Sequence, residues 1–181
     1  MPDVNAGAPT LPQFVAELMA RSHQRMQEAL DGMSDEALWR QPGPGANTAG
    51  WLTWHLARWK DIQTARMVGE QQEWESGGWA QRLGLEGEPS GWGDTPEQAA
   101  AFRAPRAEVL AYVAAAHEAA QRRLRAVTPE ALARLLPPAR PGGEARPAWL
   151  SLLVNCIDFN EHTGQIAYLR GLYDGFGWQS Y

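Results

Sequence analysis

Cysteine and lysine are nearly absent from this 181-residue chain, which contains one of each. Because Cys156 stands alone, an internal disulfide is excluded, and we expect a reducing, cytoplasmic location. Positive charge is also scarce: 16 Lys and Arg stand against 21 Asp and Glu, for a net charge of −5. Binding of nucleic acid relies on an excess of positive charge, so we expect no nucleic-acid partner.

Long hydrophobic runs are missing as well. No apolar stretch approaches the roughly 18 residues that a membrane-spanning helix needs, so we expect no membrane partner. Residues 1–10 lack the basic start and the apolar stretch of a secretory signal. The hydrophobic content of 44% is sufficient for one buried core, and we predict a single domain over residues 1–181.

Four long segments carry apolar residues at intervals of three and four, as amphipathic helices do. This spacing predicts helices over residues 11–30, about 47–69, 106–127 and 148–172. Thr10 followed by Gln13 is a capping box at the start of the first helix, and the QPGPG run from Gln41 breaks any helix before the second. No segment shows the alternation typical of strands. The pattern predicts an all-α fold, specifically a four-helix bundle.

Residues 70–94, between the second and third predicted helices, are rich in glycine and tryptophan. They hold six acidic residues and one arginine, so the whole net charge of the chain lies in this segment. A connection of this length in a compact domain is either a functional lid or disordered. Disordered segments are poor in aromatic residues, so Trp74, Trp79 and Trp92 favour a long loop that packs as a lid.

The chain has four histidines, each on or beside a predicted apolar helix face. Residues three and four apart share a face, so His55 and His162 should look into the bundle. Asp158 lies four residues before His162 on the same face, and a buried carboxylate is costly unless it is paired or coordinates a cation. For His23 and His117 the simpler interpretation is a satisfied core histidine.

His55, Asp158 and His162 together form a ligand set that suits Zn²⁺, Fe²⁺, Ni²⁺ or Mn²⁺ and leaves coordination positions open. Such sites are built in the cores of helix bundles from side chains of facing helices. In the simpler interpretation, Asp158 and His162 form an intrahelical ion pair worth about 0.2–0.5 kcal/mol. The spacing alone leaves both interpretations open, because no compact motif such as HExxH joins the three residues.

Two long stretches of the sequence resemble the DinB-like family, also described as DinB/YfiT-like metalloenzymes. They are PGPGANTAGWLTWHLARWKD at residues 42–61 and DFNEHTGQIAYLRG at residues 158–171, with WESGGWAQRLGL and YVAAAHEAA between them. The resemblance covers most of the chain. It implies a four-helix bundle in up-down-down-up order with a divalent metal ion in its core.

The resemblance also implies a ligand set of three histidines, one on the second long helix and two on the fourth. His55 matches the first and His162 matches the last, but Asp158 stands where the family has the middle histidine. A carboxylate is an acceptable ligand that lowers the charge of the site by one and favours harder ions. Related families use the bundle for transfer reactions of low-molecular-weight thiols such as mycothiol or bacillithiol.

Two functional hypotheses follow. In the first, a metal-dependent enzyme, a thiol S-transferase or a hydrolase, activates a water or a low-molecular-weight thiol toward a small-molecule substrate. His117 would act as general base, and Arg170 would hold an anionic group of the substrate. In the second, a non-catalytic small-molecule-binding or stress-related bundle keeps a vestigial metal site. Under either hypothesis, leftover apolar helix faces predict a homodimer.

Overall fold

The computed structural model describes residues 8–87, 89–138, 142–175 and 177–179. Within these ranges most residues are helical, which confirms the predicted all-α fold. The helices are α1 (Leu11–Leu30), α2 (Asp35–Trp39), α3 (Ala49–Val68), α4 (Glu73–Ser76), α5 (Trp79–Leu83), α6 (Pro96–Ala101), α7 (Arg106–Ala126), α8 (Pro129–Ala133) and α9 (Ala148–Asp174).

The ends of the long helices follow local capping rules. At the start of α1, the Thr10 hydroxyl accepts a hydrogen bond from the backbone N–H of Gln13, whose side chain accepts one from the Thr10 N–H at 2.8 Å. At the start of α3, the Thr48 hydroxyl accepts from the Trp51 N–H at 3.1 Å. Gly69 ends α3 with φ +77°, a conformation that glycine adopts without strain. The predicted helix bounds therefore agree with the observed ones within about two residues.

The four long helices pack against one another around a shared core. Helix α3 contacts both α7 and α9, and α1 contacts the same two helices. Large aromatic side chains fill the centre, among them Trp54 of α3, Tyr112 of α7 and Phe159 of α9, all fully buried. These contacts place one face of α3 directly against α9, the two helices that carry the candidate metal ligands.

The structure differs from the expectation that the chain has no strands. Two short strands, β1 (Leu135–Leu136) and β2 (Arg146–Pro147), pair antiparallel with Leu135 opposite Pro147. Each strand has two residues, which is too short for the alternating pattern that reveals strands in a sequence. The pair closes the connection between α8 and α9.

The predicted loop over residues 70–94 contains two short helices, α4 and α5. Trp74 and Trp79 are buried there, while Trp92 stays exposed. The segment is fastened to α3 by the Asp61 carboxylate, which accepts hydrogen bonds from the backbone N–H groups of Glu73 and Trp74 at 2.9 and 2.8 Å. The segment is therefore packed and partly helical, in contrast to the predicted loop, and its movement as a lid stays a prediction.

We find no helix among the described residues with the length and apolar character required to cross a lipid bilayer.

Candidate metal centre

His55, Asp158 and His162 come together at the contact between α3 and α9. One ligand atom from each residue lies within 4.8 Å of the others. The Nε2 atom of His162 is 3.3 Å from Oδ1 of Asp158, and the rings of His55 and His162 meet edge to face at 5.4 Å between centroids. The predicted burial of His55 is observed, while Asp158 and His162 are half-buried. The helix spacing thus brings all three residues to one place.

The donor set fits a divalent cation. Oxygen Oδ2 of Asp158 is buried and has no hydrogen-bond partner among the described residues, which is costly for a carboxylate that lacks a nearby cation. Ligand atoms at about 2.0–2.2 Å from one ion in tetrahedral geometry are roughly 3.4 Å apart. The His162–Asp158 separation already has this value, and the ligand atom of His55 lies within 4.8 Å of both.

Electrostatics set the protonation of the two imidazoles. Burial lowers the pKa of His55 below its ordinary value, although the Asp158 carboxylate opposes the shift. For His162, burial also favours the neutral ring, but hydrogen bonds to Asp158 and Gln165 outweigh it and raise the pKa above the ordinary value. Only a neutral imidazole can ligate a metal, so cation binding at this site would displace a proton from His162 in mildly acidic solution.

A backbone carbonyl orients the His55 ring. The ring atom Nδ1 lies 2.6 Å from the carbonyl oxygen of Ser90. Because a carbonyl oxygen only accepts hydrogen bonds, Nδ1 carries the proton and Nε2 keeps its lone pair for a ligand bond. Trp51 stacks on the same ring at 4.5 Å with an interplanar angle of 13°, and its indole N–H donates to Asp94 at 3.0 Å. The 70–94 segment therefore holds His55 from one side.

Gly91 makes this close approach of the segment possible. A Cβ atom at position 91 would lie 2.6 Å from Nδ1 of His55 and 2.7 Å from the Trp51 ring. The backbone at Gly91 has φ +78°, which other residues rarely adopt. The sequence analysis missed the roles of Ser90 and Gly91, because a contact between residues 35 positions apart leaves no local pattern. The only available signal was the concentration of glycine and tryptophan in this segment.

The structure places the proposed general base His117 apart from these three residues. Its ring stacks on His23 of α1 at 3.9 Å, and its Nδ1 atom lies 3.4 Å from Nζ of Lys60. Burial, with a contribution from Lys60, lowers the pKa of His117 to about 4, so the ring is neutral at neutral pH but is a weaker base than an ordinary imidazole. Among the described residues, no hydrogen bond or ring contact joins it to the metal ligands, and its catalytic role stays a prediction.

Arg170, the predicted anion-binding residue, lies near the end of α9. Its guanidinium donates to Asp174 at 2.7 Å, and its Nε atom is buried with no partner among the described residues. No ion pair links it to Asp158 within the described ranges. Its contact with a substrate therefore also stays a prediction.

Fold and site define the chain as a predominantly helical protein with a candidate His–Asp–His metal centre between two long helices. A family model described as the DinB superfamily matches residues 18–166, and the chain belongs to this superfamily. The resemblance of the sequence to the DinB-like family is thereby confirmed.

The chain is also similar to a solved structure described as the conserved protein of a locus from Enterococcus faecalis. The two chains share 26% sequence identity and superpose with a TM-score of 0.80 over 93% of this chain and 100% of the other. A search of curated proteins finds no match.

Proposed function

We propose that this protein is a metal-dependent enzyme that acts on a small molecule, with His55, Asp158 and His162 as the ligands of one divalent ion. Zn²⁺, Ni²⁺, Fe²⁺ and Mn²⁺ are the ions that suit two imidazoles and a carboxylate. The observation that carries the proposal is the convergence of one ligand atom from each of the three residues to within 4.8 Å of one another. In addition, the Oδ2 atom of Asp158 is buried with no hydrogen-bond partner among the described residues.

The bound ion would lower the pKa of a water or a low-molecular-weight thiol and so supply a nucleophile for thiol transfer or hydrolysis. The other tasks belong to the chain itself. The Ser90 carbonyl keeps the proton on Nδ1 of His55, so that Nε2 points its lone pair away from the 70–94 segment. That segment excludes water from one side of the site. In this proposal His117 accepts a proton, and Arg170 binds an anionic group of the substrate.

We further propose that the four long helices form one domain, a four-helix bundle in up-down-down-up order. Helices α1 and α7 are antiparallel to each other, as are α3 and α9. Helices α3 and α7 are parallel to each other, as are α1 and α9. Two contacting residue pairs support each direction, in the same order: Ala16–Gln121 and Leu30–Arg106; His55–His162 and Lys60–Phe159; Arg58–Tyr112 and Thr64–Arg123; Ser22–Asn160 and Gly32–Arg170.

A second function is favoured by one feature, the carboxylate of Asp158 at the position where the family has a histidine. An oxygen ligand in place of nitrogen weakens the affinity for Zn²⁺ and similar ions. In this alternative the protein binds a small molecule without catalysis. The site no longer binds a metal ion, and Asp158 and His162 form only an ion pair.

Metal analysis separates the two functions. We expect about one divalent ion per chain in protein purified without a nickel column, measured by elemental analysis, since the ligand set is complete. His55→Ala should lose the ion, whereas the control His23→Ala, which removes a buried histidine outside the ligand set, should keep it. Only trace metal in the wild-type protein, with unchanged folding of His55→Ala, would support the non-catalytic alternative.

Titration of the metal-free protein with Zn²⁺ tests the role of Gly91, the glycine beside His55. Gly91→Ala should weaken metal affinity about 10- to 100-fold, the usual effect of disturbing a residue that orients a ligand. The added methyl group would push against Nδ1 of His55 and displace its hydrogen bond to Ser90. Gly43→Ala is the matched control, because nothing lies within 4 Å of a Cβ at that position. Equal affinity of both variants would show that the segment does not position His55.

We propose that the protein forms a homodimer through an exposed apolar surface of α1 and α9. Phe14 and, on α9, Trp149, Leu153 and Ile157 are large apolar residues that remain about half exposed. Such a surface marks an interaction site. Leu153→Glu should therefore convert a dimer to a monomer in sedimentation velocity, and the control Leu172→Glu, at the other end of α9, should leave it dimeric. A monomeric wild-type protein would refute the proposal.

We also propose a cytoplasmic location and a small-molecule partner. Cys156 is buried, and burial raises the pKa of its thiol to about 11, so it acts as an inert packing residue in a reducing compartment. The net charge of −5 favours a small-molecule partner over a nucleic acid.

A further inference from the structure

A cavity of about 170 Å³ lies beside the candidate metal centre and shares Asp158 with it. The indole rings of Trp59 and Trp92 meet edge to face at 5.9 Å between centroids and form part of its wall, together with Val154. An apolar cavity of about 150 Å³ accommodates a benzene ring. The cavity is therefore large enough for the body of a small flat or branched ligand.

Two amide side chains that line the cavity carry buried oxygens without partners. Gln63 of α3 is 9% exposed and Asn155 of α9 is 3% exposed, and both line the cavity wall. Neither Oε1 of Gln63 nor Oδ1 of Asn155 has a hydrogen-bond partner among the described residues. Burying a polar atom without a partner is unfavourable. A donor in the cavity would offset this cost where the amide turns its buried oxygen toward the ligand.

One cation also lines the cavity. Arg146 of β2 is half-buried and has no ion-pair partner among the described residues. Burial lowers the pKa of the Arg66 guanidinium, and the nearby charge of Arg146 lowers it further. The cavity lining therefore holds one cation, Arg146, and one carboxylate, Asp158, and Arg146 forms no ion pair with any described residue.

We propose that this cavity binds a small organic carboxylate that bears an amino or hydroxyl group on a compact apolar body. The carboxylate pairs with Arg146, the donor group reaches Gln63 and Asn155, and the apolar body lies against Trp59. The charge of Arg146 thus specifies the carboxylate of the ligand, the amide oxygens specify its donor group, and the aromatic wall specifies its apolar body. The inference rests on the proposed function only in that Asp158, shared by cavity and metal centre, places the ligand beside the reactive ion.

The experiment uses three matched probes: 4-aminobenzoate, benzoate and aniline. Binding to the full chain is measured by titration calorimetry, with and without added Zn²⁺. We expect 4-aminobenzoate to bind about 2- to 10-fold more tightly than benzoate, because it adds the donor group. The affinity for aniline should be lower than that for 4-aminobenzoate by a factor of about ten or more, because aniline lacks the negative charge that pairs with Arg146.

Variants assign the binding to the cavity. Arg146→Gln should weaken 4-aminobenzoate binding about tenfold or more, whereas the control Arg122→Gln removes the same charge from an exposed position and should have no effect. Asn155→Leu should reduce the difference between 4-aminobenzoate and benzoate. Circular dichroism of each variant checks that the fold is retained.

Three results would overturn the proposal. They are absence of saturable binding at millimolar concentration, equal affinity for the three probes, and equal effects of Arg146→Gln and Arg122→Gln. Ordered water in the cavity would satisfy the amide oxygens without any ligand and would give the first of these results. Probe binding without metal uptake would support the ligand cavity and refute the metal centre. Metal uptake without probe binding would support the metal centre and refute the ligand cavity.

Discussion

Asp61→Asn should destabilise the protein by about 3–5 kcal/mol, the usual effect of breaking a buried ion pair. The Asp61 carboxylate is fully buried on α3 and lies 2.9 Å from the Arg123 guanidinium and 3.8 Å from that of Arg58. Both arginines are themselves buried, so an uncharged residue at position 61 leaves Arg58 without a counter-ion and Arg123 with only the half-exposed Glu70. Tyr112 also donates a hydrogen bond to this carboxylate, at 3.1 Å.

The same carboxylate fastens the start of α4, so its loss should have a second, local effect. An asparagine presents one oxygen and one NH₂ group, and it cannot accept from both the Glu73 and the Trp74 backbone N–H groups as the carboxylate does. We expect faster amide exchange at these two positions in Asp61→Asn. Because this segment also carries Ser90 and Gly91, looser attachment should weaken metal binding as well.

Urea unfolding followed by circular dichroism measures the loss of stability. Asp35→Asn is the matched control, because Asp35 forms an ion pair with Arg106 but its side chain is 73% exposed. Exposed pairs contribute about 0–1 kcal/mol, so the control should be close to the wild-type protein. A loss of less than about 1 kcal/mol in Asp61→Asn would mean that the arginines find other partners or water.

Lys60→Met should stabilise the protein at pH 7 and reduce the dependence of its stability on pH. Lys60 is the only lysine of the chain, it is fully buried, and burial lowers its pKa from 10.5 to about 7. Its amine lies over the Phe159 ring at 3.9 Å and contacts His117, which stacks on His23. No carboxylate among the described residues forms an ion pair with it, so the charged form is unfavourable in the folded state.

The sign of the pH effect follows from the proton count. Between about pH 7 and pH 10.5 the unfolded chain keeps the Lys60 proton and the folded chain releases it, so the free energy of unfolding rises with pH. Burial lowers the pKa of His23 to about 3 and that of His117 to about 4, so both are neutral in this window. Above about pH 9, ionisation of Cys156 in the unfolded chain acts in the opposite direction.

The difference between the two proteins isolates the contribution of Lys60. We expect the free energy of unfolding of Lys60→Met to exceed that of the wild-type protein, with the largest difference at low pH. This difference should decrease by about 2 kcal/mol between pH 7 and pH 9. Urea unfolding at intervals of one pH unit measures it. Parallel profiles for the two proteins would mean that the amine stays protonated in the folded state.

The positions of the long helices were predictable because they depend on neighbouring residues. The capping box of Thr10 and Gln13 and the left-handed Gly69 each act within one helical turn. The first begins α1 and the second ends α3 where the sequence indicates. The strand pair of Leu135 and Pro147 was not predictable, since two residues carry no period. Helix α4 was missed for a related reason, because Asp61, which accepts hydrogen bonds from its first residues, is more than ten positions away. Helix α5 has only five residues, too few to show a helical period.

In the candidate metal centre, too, the contacts set by local spacing were predictable and those set by tertiary packing were not. Asp158 and His162 are four residues apart, so their shared face could be inferred from helix geometry alone. His55 was assigned to the same site from its apolar neighbours and from the family resemblance, and the packing of α3 on α9 brings it there. The Ser90 carbonyl had no signal in the sequence, because any residue has a carbonyl oxygen and only the path of the chain decides where it points.

By itself, the sequence determined the long helices, their apolar faces and the superfamily, since these depend on residue type and on spacing of three and four positions. The tertiary structure decided which atoms meet: the hydrogen bond from His55 to Ser90 and the contact of His117 with Lys60. It also buried the amide oxygens of Gln63 and Asn155 without a partner among the described residues. These contacts join segments distant in sequence, and they follow from how the helices and the 70–94 segment pack together.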